Sequence, residues 1–170
     1  MLGKDYAEQD CALARALEVV GERWTLLIVR DSFYGVRRFS DFQAHLDIPK
    51  AVLADRLGAL VSEGVLARVP DPDRAGRHLY ELTASGRDLW PAVHALMSWG
   101  ARHKQPNSRM FMHADCGSVL NDDGRCPACH VIPAPEEIVT ERLKGRKPRR
   151  SDPVTVALRA SHRLLDPLQI

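Results

Sequence analysis

The chain has 170 residues, 45% of them apolar and 27% charged, a composition typical of a globular protein with one domain and an appendage. It contains no run of about 18 apolar residues, which argues against a membrane span, and its polar start argues against a signal peptide. The net charge of +2 excludes a strong overall positive field, so any affinity for nucleic acid must come from local patches. We therefore expect a cytoplasmic protein without membrane contact, in which clustered cysteines indicate a metal site more often than a disulfide.

Four helices are predicted in the first 64 residues, because apolar side chains recur there at helical spacing and several segments end at glycine. In chain order their sequences are CALARALEVV, RWTLLIVRDSFY, RRFSDFQAHL and KAVLADRLGALVSE. Pro49 fixes the start of the fourth helix, since proline is tolerated only in a first helical turn. The third and fourth helices, joined by a tight turn, form a predicted helix-turn-helix.

A β-hairpin and a long helix are predicted next. The apolar runs VLARV and HLYELT suit strands, and the link PDPDRAG suits a hairpin loop. Thr83 is predicted to cap a long helix that reaches about His103. We interpret its apolar face as core or dimer interface, and this face comprises Leu89, Val93, Leu96 and Gly100, widened by Trp90, Met97 and Trp99. A hairpin after a helix-turn-helix makes it winged, with the second helix suited to the major groove and the hairpin to nearby phosphates.

These segments resemble the HxlR-type winged helix-turn-helix regulators, bacterial transcription regulators related to the MarR group. The resemblance runs from about Cys11 to Gly100 and is most specific in a cysteine before the first helix and in the segments GERWTLLIVRD, RRFSDF, VLADRL and LTASGRDL. It implies a homodimer formed through the terminal helices that binds a roughly two-fold symmetric operator in double-stranded DNA. It also leaves room for a small-molecule effector. The wing segment RAGRHLYELT departs from the Pro-x-x-Val-Glu-Tyr-like strand usual in the family.

Three groups of residues are candidate DNA contacts, although each could also be a solvated surface. In the fourth helix Asp55 would either read a base amine or orient a neighbouring arginine. Long cationic donors suit phosphates and guanine edges, and backbone N–H groups at a helix start suit a phosphate. The candidates are Lys50, Ala51, Ala54, Asp55 and Arg56 on the recognition helix, Arg37 and Arg38 before the third helix, and Arg74, Arg77 and His78 on the wing.

Cys11 has two interpretations. A thiol at the start of a helix can have a lowered pKa and serve as a redox switch. Some members of the resembled family sense oxidants or electrophiles through a cysteine at this place. The alternative is an inert buried cysteine, which we favour because no basic residue lies within three positions of it.

The segment HADCGSVLNDDGRCPACH carries a metal-binding pattern. His113 and Cys116 are separated by two residues, as are Cys126 and Cys129. Four such ligands suit tetrahedral Zn²⁺ in a closed structural site. His130 could replace His113, the fourth ligand could be missing, or the three cysteines could simply pack without a metal.

A catalytic zinc is excluded by the chemistry of this segment. Zinc deaminases need a His-x-Glu motif and a proline before the first cysteine of Cys-x-x-Cys, and this sequence has neither. Four protein ligands would also leave no position for a water molecule. No nucleophile–base pair or phosphate loop is evident elsewhere, so we expect a protein that is not an enzyme.

The predicted fold class is mainly α with a small β-hairpin wing, a winged helix-turn-helix followed by a small zinc-ribbon-like subdomain. The predicted domains are 1–105 for DNA binding and dimerisation, 106–140 for the zinc-ribbon-like segment and 141–170 for a basic linker and tail. In the last, residues 142–150 hold six basic side chains, which suit either phosphate affinity or a solvated linker. Residues 152–165 are predicted to form a helix whose Val154, Leu158 and Leu165 face a partner.

The sequence thus favours a homodimeric DNA-binding transcription regulator with structural zinc. Two hypotheses from other classes remain open. One is a protein-interaction adaptor with nonspecific DNA affinity, and the other is a thiol redox enzyme, which would need a low-pKa, exposed cysteine pair that zinc binding does not provide.

Overall fold

The computed structural model describes residue 6, residues 8–143, residue 145 and residues 150–170. The N-terminal half contains α1 (Ala12–Val20), α2 (Thr25–Phe33), α3 (Phe39–Leu46), α4 (Lys50–Ser62), β1 (Leu66–Pro70), β2 (His78–Leu82), α5 (Ala84–Arg87) and α6 (Trp90–His103). The C-terminal half contains β3 (Arg109–His113), a 3-10 turn (Pro135–Glu137), β4 (Ile138–Arg142), α7 (Pro153–Ala157) and β5 (His162–Arg163). This order confirms the predicted winged helix-turn-helix. Within the described ranges, each helix is too short or too polar to cross a bilayer.

The turn between α3 and α4 is set by its own three residues. Asp47 adopts the left-handed conformation with φ of 55° and ends α3. Ile48 is 3% exposed and anchors the turn in the core, while Pro49 is the N-cap of α4. Leu53, Leu57 and Leu60 then form the buried stripe of α4. The opposite face of α4 is thereby left to solvent.

The wing is a two-stranded antiparallel hairpin tied to the chain in front of α3. Its register pairs Leu66 with Leu82 at one end and Pro70 with His78 at the other. The loop is closed by a hydrogen bond of 2.9 Å from the Asp71 N–H to the Arg77 carbonyl. The Tyr80 N–H donates to the Arg37 carbonyl at 2.8 Å, which connects the wing to the segment in front of α3.

The predicted long helix from Thr83 to His103 is wrong in one respect, because the structure divides it into α5 and α6. Thr83 is the N-cap as predicted, and its hydroxyl accepts from the Gly86 N–H at 3.2 Å. The break has a local cause. Pro91 has no N–H to donate to Arg87, and its ring would crowd that carbonyl, so the helix restarts with proline in its first turn.

The C-terminal half packs on the helices through a shared core. Its sheet has the strand order β3-β4-β5. Phe111 of β3 contacts three aromatic rings, with centroid distances of 5.2 Å to Trp90, 5.6 Å to His94 and 6.5 Å to Tyr34. The buried Ile138 of β4 belongs to the same hydrophobic cluster as the winged-helix core. The domain limits at residues 105 and 140 stay a prediction. Side chains from before and after residue 105 belong to the same hydrophobic cluster.

The predicted C-terminal helix facing a partner is wrong. α7 has five residues, and Val154 and Leu158 are buried against the protein's own core. The chain then enters β5, which pairs with β4 and covers its free edge. Leu165, with φ of 68°, donates its N–H to the Phe33 carbonyl at 2.8 Å. The tail therefore docks at the end of α2.

Gly35 shows how closely this tail approaches α2. Its φ is 81°, and a Cβ atom there would lie 1.8 Å from the Asp166 carbonyl oxygen. We expect Gly35→Ala to lower the free energy of unfolding by at least about 2 kcal/mol, because left-handed backbone alone costs about 1–2 kcal/mol for a residue with a side chain. Gly58→Ala, in an open position on α4, should raise it by about 0.5–1 kcal/mol. Urea unfolding measures both, and a fully stable Gly35→Ala would contradict the docked tail.

Candidate nucleic-acid interface and metal site

The exposed face of α4 presents small side chains and one free cation. Lys50 begins the helix and is exposed, and it forms no ion pair within the described part of the chain. Ala51 and Ala54 are also exposed, one helical turn apart. A face of this shape lets a helix approach the floor of a groove without steric obstruction. DNA contact by these residues remains a prediction.

Asp55 and Arg56 form an ion pair on this helix. The Arg56 Nη2 atom lies 2.6 Å from a carboxylate oxygen of Asp55 and its Nη1 atom lies 3.8 Å from Glu22. Of the two roles considered for Asp55, this geometry corresponds to orienting a neighbouring arginine. The guanidinium is thereby held beside the exposed face of α4.

Arg37 and Arg38 face the wing. Arg37 lies 2.5 Å from Glu81 of β2. Arg38, the N-cap residue of α3, lies 3.1 Å from both Asp71 and Asp73 of the wing loop. The hydrogen bond from Arg38 holds the pKa of Asp71 below its ordinary value. Both arginines therefore fix the wing to the helix-turn-helix, and phosphate contact would compete with these carboxylates.

The wing carries more cationic side chains than the sequence identified. Arg74, Arg77 and His78 are exposed as a phosphate-binding role requires. Arg68 on β1 lies opposite Tyr80 and its guanidinium is 3.0 Å from the His78 ring. Arg68 was missed because strand alternation alone does not show which positions border the loop. The hairpin register would have found it, since Arg68 and His78 lie on paired strands near the same end.

The predicted metal ligands come together in space. One ligand atom from each of His113, Cys116, Cys126 and Cys129 lies within 4.8 Å of the others. Cys116 Sγ is 3.6 Å from His113 Nδ1 and 3.4 Å from Cys126 Sγ. The Cys129 N–H donates to Cys126 Sγ at 3.4 Å, the backbone support that a thiolate ligand receives in a tight turn. The donor set of one imidazole and three thiols fits a closed zinc site.

The backbone decides between His113 and His130. Gly117 follows the first ligand pair with φ of 70°, and His130 follows the second pair with φ of 60°. His130 thus occupies the left-handed position that closes the second turn, as Gly117 closes the first. His113, at the end of β3, is 4% exposed and points Nδ1 toward the thiols. The histidine in the four-ligand cluster is therefore His113.

Neighbouring groups shift the pKa values of the thiols in this cluster. Hydrogen bonds from Ser118 lower the pKa of Cys116 to about 6, which favours the thiolate that a metal needs. The hydrogen bond with Cys116 raises the pKa of Cys129 to about 12, so in the absence of a cation the thiols share their protons. The Nε2 atom of His113 lies 3.8 Å from the exposed carboxylate of Asp115, which is beyond hydrogen-bond distance. These features support a metal site in this segment.

Comparison with known proteins places this geometry in a family. Residues 19–108, more than half of the chain, match the family described as HxlR-like helix-turn-helix. The HTH-type transcriptional regulator Rv3095 of Mycobacterium tuberculosis is 43% identical over 122 residues, which cover 69% of this chain and 77% of the relative. The chain belongs to the HxlR-like helix-turn-helix family. It is a transcriptional regulator with a helix-turn-helix DNA-binding domain, as its relatives are, and the family is not one of enzymes.

Two solved structures resemble more than half of this HxlR-like chain. The crystal structure of PA1607, described as a candidate transcription factor, is 40% identical and covers 58% of this chain and 69% of its own, with a TM-score of 0.55. The redox regulator HypR in its oxidised form is 26% identical and covers 55% of this chain and 98% of its own, with a TM-score of 0.50. The family match ends at residue 108, so the metal cluster lies beyond it.

Cys11 is the N-cap residue of α1 in this HxlR-like chain, and it is exposed. The favoured interpretation as a buried inert cysteine is therefore wrong in its burial, because Cys11 precedes the first turn and lies outside the core. Redox sensing by Cys11 stays a prediction.

Part of the basic run at 142–150 lies outside the described residues, namely Lys144 and residues 146–149.

Proposed function

We propose that this protein is a homodimer that binds a roughly palindromic operator sequence-specifically, with α4 in the major groove and the wing beside it. The exposed N-terminal half of α4 carries this proposal, because Lys50, Ala51 and Ala54 lie there next to a cationic hairpin. Recognition helices of this motif read base edges through their first turns. Since its target is chromosomal DNA, we propose that the protein works in the cytoplasm.

The terminal helices support a dimer by exposing large apolar side chains. Leu13 and Leu17 of α1 are 66% and 42% exposed, and Leu96 and Trp99 of α6 are 53% and 50% exposed. Each pair lies three or four residues apart and so shares a helix face. Contiguous apolar surface of this kind indicates an interface more often than free surface. The family resemblance implies a dimer contact on the terminal helices, which agrees with this proposal.

We expect Trp99→Glu to prevent dimerisation, because a carboxylate in an apolar interface costs more than the contact provides. Ile132→Glu is the matched control, since Ile132 is 52% exposed and lies outside the terminal helices. Sedimentation equilibrium should give the 19.0 kDa monomer mass for Trp99→Glu and twice that mass for the control. Equal masses for both variants would remove α6 from the interface.

We propose that the four-ligand cluster holds structural Zn²⁺. The closed donor set of His113 and three cysteines supports this assignment. Bound there, the metal would join the loop after β3 to the turn before β4, and Cys126, fully buried, connects the site to the core. Such a site contributes folding free energy and leaves no position for catalysis.

The two-fold operator is tested by footprinting the wild-type protein on the DNA upstream of its own gene. A homodimer should protect two half-sites related by symmetry, with centres one helical turn apart or a multiple of it, about 10–10.5 base pairs per turn. A single protected half-site, or uniform protection that follows no symmetry, would contradict the proposal.

A further inference from the structure

An arginine-lined cleft of about 810 Å³ opens between the winged helix and the C-terminal segment. One wall comes from α2 and α6, and the other comes from β3, β4 and α7. Its volume falls within the range of pockets for small organic ligands, about 300–1,000 Å³. The residues that line the cleft include none of the four metal ligands and none of the exposed residues of α4.

Positive charge dominates the lining. Five arginines take part, namely Arg23, Arg30, Arg109, Arg142 and Arg150. Among the described residues that line the cleft there is no aspartate or glutamate. Two carboxylates lie behind the surface: Asp31 is 2.6 Å from Arg30, and Asp152 is 3.4 Å from Arg150. Five guanidiniums therefore line the cleft, and the structure records a carboxylate partner behind the surface for Arg30 and for Arg150.

Two of the guanidiniums are fixed against one aromatic ring. The Cζ atoms of Arg30 and Arg109 lie 5.8 Å and 5.7 Å from the centroid of the Tyr34 ring. Arg30 is held through Nε and Nη2 by Asp31, and Arg109 donates to Thr140 and to the Leu158 carbonyl. These anchors set the side chains in place before any ligand arrives, which reduces the entropic cost of binding.

The Tyr34 hydroxyl has no strong acceptor among the described residues. Tyr34 is 6% exposed, and its hydroxyl lies 3.9 Å from the Met97 sulfur, a weak acceptor. Burial raises the pKa of Tyr34, although both neighbouring arginines oppose this, so the hydroxyl keeps its proton at neutral pH. A buried donor of this kind is better satisfied by an anionic oxygen.

Apolar side chains also line the cleft. They include Leu26 and Leu27 of α2, Val93 and Met97 of α6, and Phe111 of β3. We propose that the cleft binds an amphiphilic organic anion, a carboxylate or phosphate joined to an apolar body. The arginines attract the anionic group by their charge, their remaining N–H groups and the Tyr34 hydroxyl donate to it, and the leucines cover the apolar part.

The position of the cleft connects it to the DNA-binding unit. His45 of α3 lines it, and Arg150 donates to the Ala44 carbonyl of the same helix. A ligand here is placed to shift α3 and so to change operator affinity. That consequence rests on the proposed function, whereas binding to the cleft does not.

The test uses the purified 170-residue protein and two fluorescent probes. Anilinonaphthalene sulfonate is an amphiphilic aromatic anion, and N-phenyl-1-naphthylamine is its neutral analogue. We expect one anilinonaphthalene sulfonate bound per chain, with affinity reduced about tenfold by Arg142→Gln and by Arg109→Gln, since each removes a charge-assisted hydrogen bond donor. Arg159→Gln is the matched control, because Arg159 is exposed and lies outside the cleft.

Several outcomes decide between this site and a general apolar surface. Binding that weakens in both cleft variants, but by less than twofold in the control, supports the proposal, as does weaker binding of the neutral probe. Equal affinity in wild type and both variants would overturn it, and so would neutral probe binding as tight as that of the anion. If Arg109→Gln does not fold, Arg142→Gln alone decides. Because no DNA is present, failure here leaves the proposed operator binding untouched.

Discussion

Replacement of Cys126 by serine is expected to release the metal and to lower the melting temperature by at least about 8 °C. Cys126 is fully buried and belongs to the core that joins both halves of the molecule. Structural zinc sites contribute about 10–16 kcal/mol in small peptides, so loss of one ligand should cost at least about 4 kcal/mol. In a chain of this size each kcal/mol shifts the melting temperature by about 2–4 °C.

Cys11→Ser is the matched control for this experiment. Cys11 is exposed at the start of α1, so its replacement should keep one equivalent of zinc and change stability by less than about 0.5 kcal/mol. Elemental analysis and thermal unfolding of both variants provide the readouts. A Cys126→Ser protein that still carries one zinc and melts like wild type would show that this cluster is not a structural metal site.

Ala54→Glu is expected to reduce operator affinity at least about 100-fold without changing stability by more than about 0.5 kcal/mol. Ala54 is exposed in the middle of the recognition helix, where glutamate is a good helix former. In the complex, its carboxylate would enter a groove lined with phosphates, where like charge and steric bulk both oppose binding.

Ala84→Glu makes the same change at an exposed alanine in the first turn of α5. This position lies beside Gly64, beyond the C-terminal end of α4, where Thr83 and Ser85 donate to the Gly64 carbonyl. Operator affinity should fall by less than about threefold in this control. A similar loss of operator affinity in both variants would indicate general electrostatic repulsion. It would argue against α4 as the helix that contacts the bases.

The winged helix was predictable because each of its elements carries a local signal. Leu53, Leu57 and Leu60 repeat at helical spacing, and the hairpin loop is rich in proline, aspartate and glycine. The cluster of candidate metal ligands was predictable for the same reason, since paired spacings of two residues place ligands in adjacent turns. The choice of His113 over His130 required the structure, because it depends on a left-handed backbone at His130.

The features that the sequence did not reveal depend on contacts between distant residues. Arg38 and Asp71 are 33 positions apart, so their ion pair could not be inferred from either segment. The arginine cleft joins α2 to strands more than 75 positions later in the chain. The break before α6 was the exception, because Pro91 provided a local signal for it.

Binding of the purified protein to its own upstream DNA tests the central claim most directly. Fluorescence anisotropy would compare that fragment with a scrambled duplex of the same length and composition, at physiological salt. The proposed regulator should bind the native fragment at least about 1,000-fold more tightly, the lower end of specific recognition. Equal affinity for both duplexes that disappears as salt rises would reveal only electrostatic attraction, and it would contradict a sequence-specific regulator of this DNA.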